Sequence, residues 1–437
     1  MEKQAAEEKY DAFILGQDKR CVVSMDCHKT QLNNNIVVVG GSGSGKTTSV
    51  VDPMLLHLQH SNAIGVFTKG GIIEDASRVL KKRGYKVFLI NFAEPEKSVF
   101  GYDPLLHCKG EADIKALAHS IICAGENKGI AGKDPFWENS AENLLLPILR
   151  FVQRGHYEGG RSMREVLYLL DHLSDPDPCL PDEDCQDKQT LMEAKLLHPL
   201  HMAFRKLARV DRVGNSVWQS FVSMAPNTSS GILATLQAAI QQVFTADVRK
   251  ILQQQKQFDF MELSRAHVVL FLYMSPVNMA HHRYVSLFYQ QVFKELFEMA
   301  ERSQDKVLPH PVQVLCDDFA TGCPIPDFPH LISIFREKRI AVTMLLQSET
   351  QLASLYGKMD AATIINNCDT YLYLGGMDLD TIQHIATRMD RPYFEIQNMP
   401  IGKEYFIRRG GKPIATTRYD LFQDPVYLQA VRGRARR

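Results

Sequence analysis

Apolar positions along the chain fall into two rhythms. The first is the short apolar run: Ile36-Val37-Val38-Val39 and Ala63-Ile64-Gly65-Val66-Phe67 are unbroken, and Lys86-Val87-Phe88-Leu89-Ile90 is apolar after its leading lysine. Runs of this length predict strands, the first two of them buried. The second is helical spacing, over Thr48 to His60 and again over Ile73 to Arg83, with Val51, Leu55, Leu56 and Leu58 forming the packing face of the first segment. Alternation of the two gives βαβαβ and so a parallel sheet with right-handed crossovers. Before it, residues 1 to 35 are polar apart from Phe13-Ile14-Leu15 and Cys21-Val22-Val23, which predict small strands leading into the first long one. Tyr102-Asp103-Pro104 closes the unit.

From Ala112 to about Lys250 the helical rhythm takes over, as in Ile114-Leu117-Ala118-Ile121, Leu144-Leu145-Ile148-Leu149-Val152 and Val166-Leu167-Leu169-Leu170. Ser174 to Asp187 is acidic and proline-containing, which predicts an exposed loop. Arg205, Lys206, Arg209 and Arg212 flank Phe204 on a predicted helix, either as a contact for phosphate backbone or as an ordinary charged face. The α/β rhythm returns with the strand Val268 to Leu272 and an amphipathic helix carrying Val285, Phe288, Val292, Leu296 and Met299. Further strands follow at Val312 to Cys316, ending in Asp317-Asp318, and at Val342 to Leu346, ending in Gln347-Ser348. Tyr371 to Leu374 is another and Glu404 to Ile407 the last; the tail from Arg432 to Arg437, rich in arginine, is a disordered arm or a nucleic-acid contact.

Composition narrows this picture. With 437 residues, 45% of them hydrophobic, the chain has room for two or three globular domains. Its 50 basic and 50 acidic residues cancel, which excludes a wholly basic nucleic-acid coat but not a local basic lining. The nine cysteines form no CxxC pair, Cys179 and Cys185 have no histidine at ligand spacing, and reduced thiols are expected. Cys27-His28 and His281-His282 read as structural or surface residues. The longest apolar run, Val268 to Met274, is far short of the roughly 20 residues a spanning helix needs, and the charged start Met1-Glu2-Lys3-Gln4 is no signal peptide. A soluble chain is expected.

One stretch carries chemistry directly. Gly40-Gly41-Ser42-Gly43-Ser44-Gly45-Lys46-Thr47 reads G-x-x-x-x-G-K-T between a predicted strand and a predicted helix, the context of a P-loop. Its glycines let backbone N–H groups turn inward around phosphate oxygens, and the helix adds the positive end of its dipole. Lys46 would reach the β- and γ-phosphates of ATP, Thr47 would offer its hydroxyl to Mg²⁺, and Thr48 completes the cofactor-binding set. Elsewhere, an apolar strand ending in a carboxylate has the form of a Walker B acid, which makes Asp317 a metal ligand and Asp318 the group that orients or deprotonates water. Gln347, at the end of the neighbouring strand, is placed to sense the γ-phosphate or the water. Arg336 and Arg339 fall between these two strand ends in sequence, and either is a candidate to stabilise charge in a neighbouring subunit's site.

Asp317-Asp318-Phe319-Ala320-Thr321-Gly322-Cys323-Pro324-Ile325-Pro326-Asp327-Phe328 resembles the D-E-F-A-N-x-G-x-I-P-D-F signature of type IV secretion coupling proteins, the TraG-like conjugative DNA-transfer ATPases. Asp134-Pro135-Phe136-Trp137 with Ala141-Glu142 resembles the D-P-F-W…A-E of that family, Gln347-Ser348 with Gln351-Leu352 its Q-S…Q-L, and Ile365 to Thr370 with Leu374-Gly375 its I-x-N-C-D-T…L-G. The resemblance runs from about residue 14 to 420 in family order. It implies an α/β fold: a RecA-like P-loop nucleotide-binding domain with a mainly parallel central sheet and an inserted all-α domain. The expected segments are residues 1–105, 106–250 and 251–437. It implies Arg336 at the arginine-finger position, ATP and Mg²⁺ as cofactors, and a homo-hexamer. The partners would be single-stranded DNA, relaxase and relaxosome proteins, and components of the secretion channel. The expected place is the cytoplasm, at the cytoplasmic face of the membrane.

Three departures accompany the resemblance. Family members begin with two transmembrane helices, which this sequence does not show; the expected membrane contact is through a separate partner or a missing N-terminal segment, unless the chain is a soluble variant. The D-P-K-G-E of the family is Phe67-Thr68-Lys69-Gly70-Gly71 here, and the expected catalytic glutamate is Asp318. The readings that follow are an ATP-driven DNA translocase and, as the alternative, a nucleotide-binding docking platform with little hydrolysis. A septum-type duplex DNA pump shares the engine but not the Asp317 to Phe328 signature.

Overall fold

A computed structural model describes residues 10–123, 135–157, 159–173, 200–201, 204–205, 208–209, 211–319 and 322–432. Asp134, the acidic stretch from Ser174 to Asp187, Lys206, Ala320-Thr321 and the tail beyond Arg432 lie outside the described residues. The chain forms two units: Met1–Phe100 with Asp259–His282 and Val292–Arg437, and Gly101–Phe258 with Arg283–Gln291.

The first unit is built on a nine-stranded sheet. Its strands are β3 (Ile36–Val39), β4 (Asn62–Phe67), β5 (Lys86–Asn91), β6 (Val268–Tyr273), β7 (Val312–Cys316), β8 (Ile340–Leu346), β9 (Thr370–Tyr373), β10 (Lys403–Arg408) and β11 (Ile414–Thr417), in the order β11-β10-β9-β3-β8-β7-β4-β6-β5. The strands from β9 to β5 are parallel; β10 runs antiparallel to both β9 and β11. β1 (Ala12–Ile14) and β2 (Val22–Ser24) form a separate antiparallel pair. Every residue of β3, β4, β7 and β8 is buried, as their unbroken apolar runs require of strands covered on both faces.

The parallel sheet expected from the βαβαβ stretch is present, and two other sequence expectations need correction. The strands of the βαβαβ stretch are parallel but do not pair with one another: β3 lies between β8 and β9, β4 between β6 and β7, and β5 pairs with β6. Local alternation fixes strand direction, whereas neighbour choice is decided by packing across the whole chain. The strand over Glu404 to Ile407 is not the last, since β11 follows it at the sheet edge. The helix after the P-loop is also shorter than its spacing predicts. Thr47–Val51 is a π-helical turn, and an α-helix follows only over Asp52–Leu56. Pro53 stands in the first turn of that helix, where its missing N–H breaks the bond that would carry an α-helix through from the loop. The predicted packing residues Val51, Leu55, Leu56 and Leu58 are all buried.

The C-terminal segment returns to this helix. His57 Nε2 meets Asp424 Oδ2 at 2.6 Å, and Tyr419 donates its hydroxyl to the same carboxylate oxygen. Helix Gly70–Lys82 presents Ile72, Ile73, Ala76 and Leu80 to the core shared with Val269 and Phe271 of β6.

The second unit is helical among its described residues, with helices Glu111–Cys123, Phe136–Gln153, Met163–Asp171, Arg212–Ser223, Pro226–Val243 and Ala246–Leu252. Its core holds the fully buried Trp218, whose indole N–H donates to His201 Nδ1 at 3.1 Å. Arg150, nearly buried, pairs with Glu111 and with Asp211 at 3.0 Å, joining three helical segments at one cation. Among the described residues no helix is long and apolar enough to cross a membrane, and no group of acids, histidines and cysteines is arranged to hold a metal by itself.

Candidate functional site

The site lies at the carboxyl edge of the parallel strands. β3 is in register with β8 and β9, Val39 opposite Leu346 and Tyr373, so Gly40, Gln347 and Leu374 emerge at one level. Backbone bonds tie the loop to its neighbours: Gly40 N–H donates to Leu346 O at 3.0 Å and Gly41 N–H to Gly375 O at 2.8 Å. Gly43 and Gly45 have φ of +72° and +83°, a region side chains disfavour. At Gly40 a Cβ would come within 2.5 Å of Ser44 Oγ, so the fold of the loop needs glycine there for space.

Lys46 is only 8% exposed and folds back over its own loop, Nζ donating to Gly40 O at 2.6 Å and Gly41 O at 3.1 Å. Burial lowers its pKa, while Asp318 and Asp317 pull the other way. Thr47 is buried at the start of the π-turn; Thr48 is exposed and donates its hydroxyl to Gly45 O at 3.2 Å.

Asp317 follows β7, which is separated from β3 only by β8. Its side chain is 7% exposed, and Oδ2 has no hydrogen-bond partner. Burial pushes its pKa up to about 6, with the Asp318 charge adding to the rise and Lys69 and Lys46 opposing it. A buried, unpartnered carboxylate oxygen is costly unless a cation satisfies it, so the donor set suits Mg²⁺. Asp318 is half-buried in the left-handed region at φ +49°, which aspartate tolerates better than longer side chains.

Gln347 is exposed at the end of β8, just before helix Glu349–Tyr356, which Ser348 caps by accepting the Gln351 N–H at 3.1 Å. Arg336 and Arg339 are not between the two strand ends in space. They lie in and after the 3₁₀ turn Phe335–Lys338, which enters β8 from its amino end. Seven residues of strand, roughly 20 Å, separate that edge from the P-loop, beyond the reach of either side chain. Arg339 turns inward and donates to Leu308 O at 3.3 Å; Arg336 is half-buried with no ion pair among the described residues. An arginine so placed has no route to the P-loop of its own chain.

Several groups at this edge escape a sequence reading. Asp52 follows Thr48 by one helical turn, and that spacing is the signal that would have found it; burial, then Asp75 and Asp317, push its pKa up to about 7 against the pull of Lys69. His282 is buried with its pKa lowered by burial, and Asp318 is close enough to oppose that shift. Gly322 packs against it, since a Cβ there would come within 2.9 Å of His282 Nδ1. Arg418, beyond β11, donates to carbonyls of the P-loop and of neighbouring strands, a contact with no local sequence signal.

Glu404 on β10 is 0% exposed, with neither carboxylate oxygen hydrogen-bonded. Burial raises its pKa from 4.5 to about 8, against the pull of Arg418. Its folded pKa is raised, so the stability it contributes is complete below pH 4.5 and is lost as pH rises to about 8. The loss is on the order of 3–5 kcal/mol at most. Thermal unfolding of Glu404→Gln between pH 5 and pH 9 should show a clearly shallower decline than the parent. Parallel declines in the two proteins would place the titrating group elsewhere.

In the second unit, Arg209 and Arg212, with Ala208 and Asn215, line an open depression of about 530 Å³, and Arg205 is exposed nearby in sequence.

A parallel sheet with a glycine-rich loop after one strand, an acid after a second, and a glutamine-bearing strand between them defines a RecA-like P-loop fold. Residues 2–391 match the family described as type IV secretory system conjugative DNA transfer, and the chain belongs to that family. Solved structures agree on the fold. The bacterial conjugative coupling protein TrwBdeltaN70, in a trigonal form with sulphate, superposes with a TM-score of 0.64 at 14% identity, covering 90% of this chain and 88% of that one. The plasmid coupling protein TrwB in complex with the non-hydrolysable ATP analogue ADPNP gives 0.63 at 16% identity, covering 90% and 87%. VirB4 of Thermoanaerobacter pseudethanolicus gives 0.53 at 14% identity, covering 96% and 98%. No curated protein matches the sequence.

Proposed function

We propose that the chain is the ATP-driven coupling protein of a conjugative type IV secretion system, which recruits the relaxase–DNA complex and translocates single-stranded DNA as a homo-hexamer. The observation that carries the reading is Lys46 and the unpartnered Asp317 carboxylate at one sheet edge, in a chain of the conjugative DNA transfer family. Solved complexes of TrwB with ADPNP and with ADP and Mg²⁺ support ATP and Mg²⁺ as the cofactors here. The site would sit at the cytoplasmic face of the membrane and would meet the secretion channel there.

In this mechanism the residues Gly40 to Thr48 cradle the phosphates by their backbone N–H groups, and Lys46 supplies the fixed positive charge. Thr47 and Asp317 would hold Mg²⁺, which neutralises charge on the transferring phosphoryl group when bound. Asp318 orients the attacking water and accepts its proton, and Gln347 contacts the γ-phosphate or that water. Arg336 would serve the neighbouring subunit's site, since its own P-loop is out of reach. The Arg209–Arg212 depression offers phosphate backbone a local basic seat on a chain of zero net charge.

The test is steady-state ATP turnover with and without single-stranded DNA, across a salt series. Turnover should rise severalfold on DNA, and the stimulation should fall steeply with salt. Turnover indifferent to DNA, in a protein that still binds ATP and relaxosome proteins, would favour the docking platform. Mixing Arg336→Ala with Lys46→Ala subunits tests assembly in the same assay: recovery of activity is expected, because intact composite sites form at some interfaces. No recovery in rings shown to be mixed would remove Arg336 from the neighbour's site.

A further inference from the structure

Arg418 occupies an unusual position for a residue at the edge of the sheet. Its Nη1 donates to Ser44 O in the P-loop, its Nη2 to Leu374 O at the end of β9 at 2.8 Å, and its Nε to Lys403 O at the start of β10 at 3.2 Å. Its own N–H donates to Gly402 O at 3.0 Å, which anchors the backbone from which the side chain reaches. Three carbonyls on three separate segments thus converge on one planar guanidinium, which lysine, with a point charge on a flexible stem, does not reproduce. The buried Glu404 lies one position beyond Lys403, bears on Arg418 electrostatically, and has no hydrogen-bond partner of its own.

The contact at Ser44 has a geometric consequence. In a trans peptide the carbonyl of one residue and the N–H of the next point in opposite directions. Holding Ser44 O toward Arg418 therefore aims the Gly45 N–H the other way and fixes one of the donors in the loop. Gly45 adapts to this twice. It takes φ +83°, and it leaves room for the guanidinium, since a Cβ there would lie 3.3 Å from Nη1. Gly41 N–H already bonds to Gly375 O, so with Arg418 the loop is stapled to the end of β9 at two points.

We propose that Arg418 is a positioning residue for nucleotide binding, a clamp that holds the P-loop in its phosphate-accepting shape before ATP arrives. The proposal deepens the nucleotide-binding reading above and rests on it for its ligand. The clamp acts through the loop backbone and leaves the chemistry of hydrolysis to other groups. Removing it lets the loop relax in the free protein, so affinity falls because shape must be regained on binding.

The test uses the full chain and two readouts. Amide hydrogen exchange over residues 40 to 48, without nucleotide, reads the clamp itself. Titration with Mg-ATP reads its effect on affinity. In Arg418→Ala, exchange over the loop should quicken by about tenfold and Kd should rise by about tenfold, as expected for losing charge-assisted hydrogen bonds. Arg418→Lys should recover only part of both, since it restores charge without the fork. Should Arg418→Ala fold poorly, Arg418→Met combined with Glu404→Gln fills the space of the arginine stem, fixes residue 404 in an uncharged form and carries the same two measurements. Unchanged loop exchange in a folded variant overturns the clamp. Faster exchange with unchanged Kd overturns its role in binding. A parent protein that binds no ATP overturns the nucleotide reading, and the exchange arm still decides the clamp.

Discussion

Lys46→Ala should abolish ATP hydrolysis and weaken ATP binding by well over ~10-fold. The ammonium is the only fixed charge the P-loop itself offers, and it is already placed: buried, and bonded to Gly40 O and Gly41 O. Its lowered pKa, caused first by burial, shows that the site holds the charge at a cost which Asp317 and Asp318 partly offset. An anion brought to that charge removes the mismatch, which is why binding and not only turnover should suffer in the variant. Calorimetric titration with Mg-ATP and steady-state turnover measure the two effects. Turnover equal to the parent's would take away the basis of the nucleotide reading.

The second large effect concerns Asp318, where the family signature has glutamate. Aspartate is one methylene shorter, so its carboxylate falls short by roughly 1–1.5 Å unless the backbone compensates. A misplacement of about 1 Å costs on the order of a hundredfold in rate. Asp318→Glu should therefore raise a slow basal turnover, by about tenfold or more, with ATP binding unchanged. The left-handed backbone at φ +49° sets the opposing cost, because glutamate is less at ease there than aspartate, by about 1 kcal/mol. That cost should appear as a small drop in melting temperature, separate from the rate. If the glutamate variant turns over more slowly than the parent at saturating ATP while binding it equally well, the site is adapted to the shorter acid and reach is not the limiting factor.

The strands and the loop motif are legible in the sequence because they are local. Ile36–Val39 is apolar without interruption, and Val312–Cys316 ends in its two acids at the residue where the strand ends in space. The order of the strands is not legible. Nothing in the run Ile36–Val39 says that its neighbours are Ile340–Leu346 and Thr370–Tyr373, because a strand buried on both faces presents similar apolar surfaces to many partners. The position of Arg336 fails for a related reason. Lying between two strand ends in sequence, it is carried by β8 to the opposite edge of the sheet, since parallel strands share a direction and each must be entered from its amino end. Arg418 is invisible to local reading because its meaning depends on a contact made across almost the whole chain, and Glu404 because its burial is decided by tertiary packing.

The interleaved sheet also sets a timetable for the chain as it leaves the ribosome. None of the first three long strands pairs with another of them in the folded protein, and the P-loop strand acquires its first native neighbour, β8, roughly 300 residues after it is made. At about 5–20 residues per second, its apolar residues wait some tens of seconds without a neighbouring strand, although β5, β6, β4 and β7 can already pair among themselves. A nascent chain halted anywhere before β8 therefore carries a complete nucleotide-binding motif in its sequence and no strand pairing to hold that motif in shape. Until β8 is made, the strand that carries the P-loop has both of its flanks open, and its apolar residues have no partner strand to cover them.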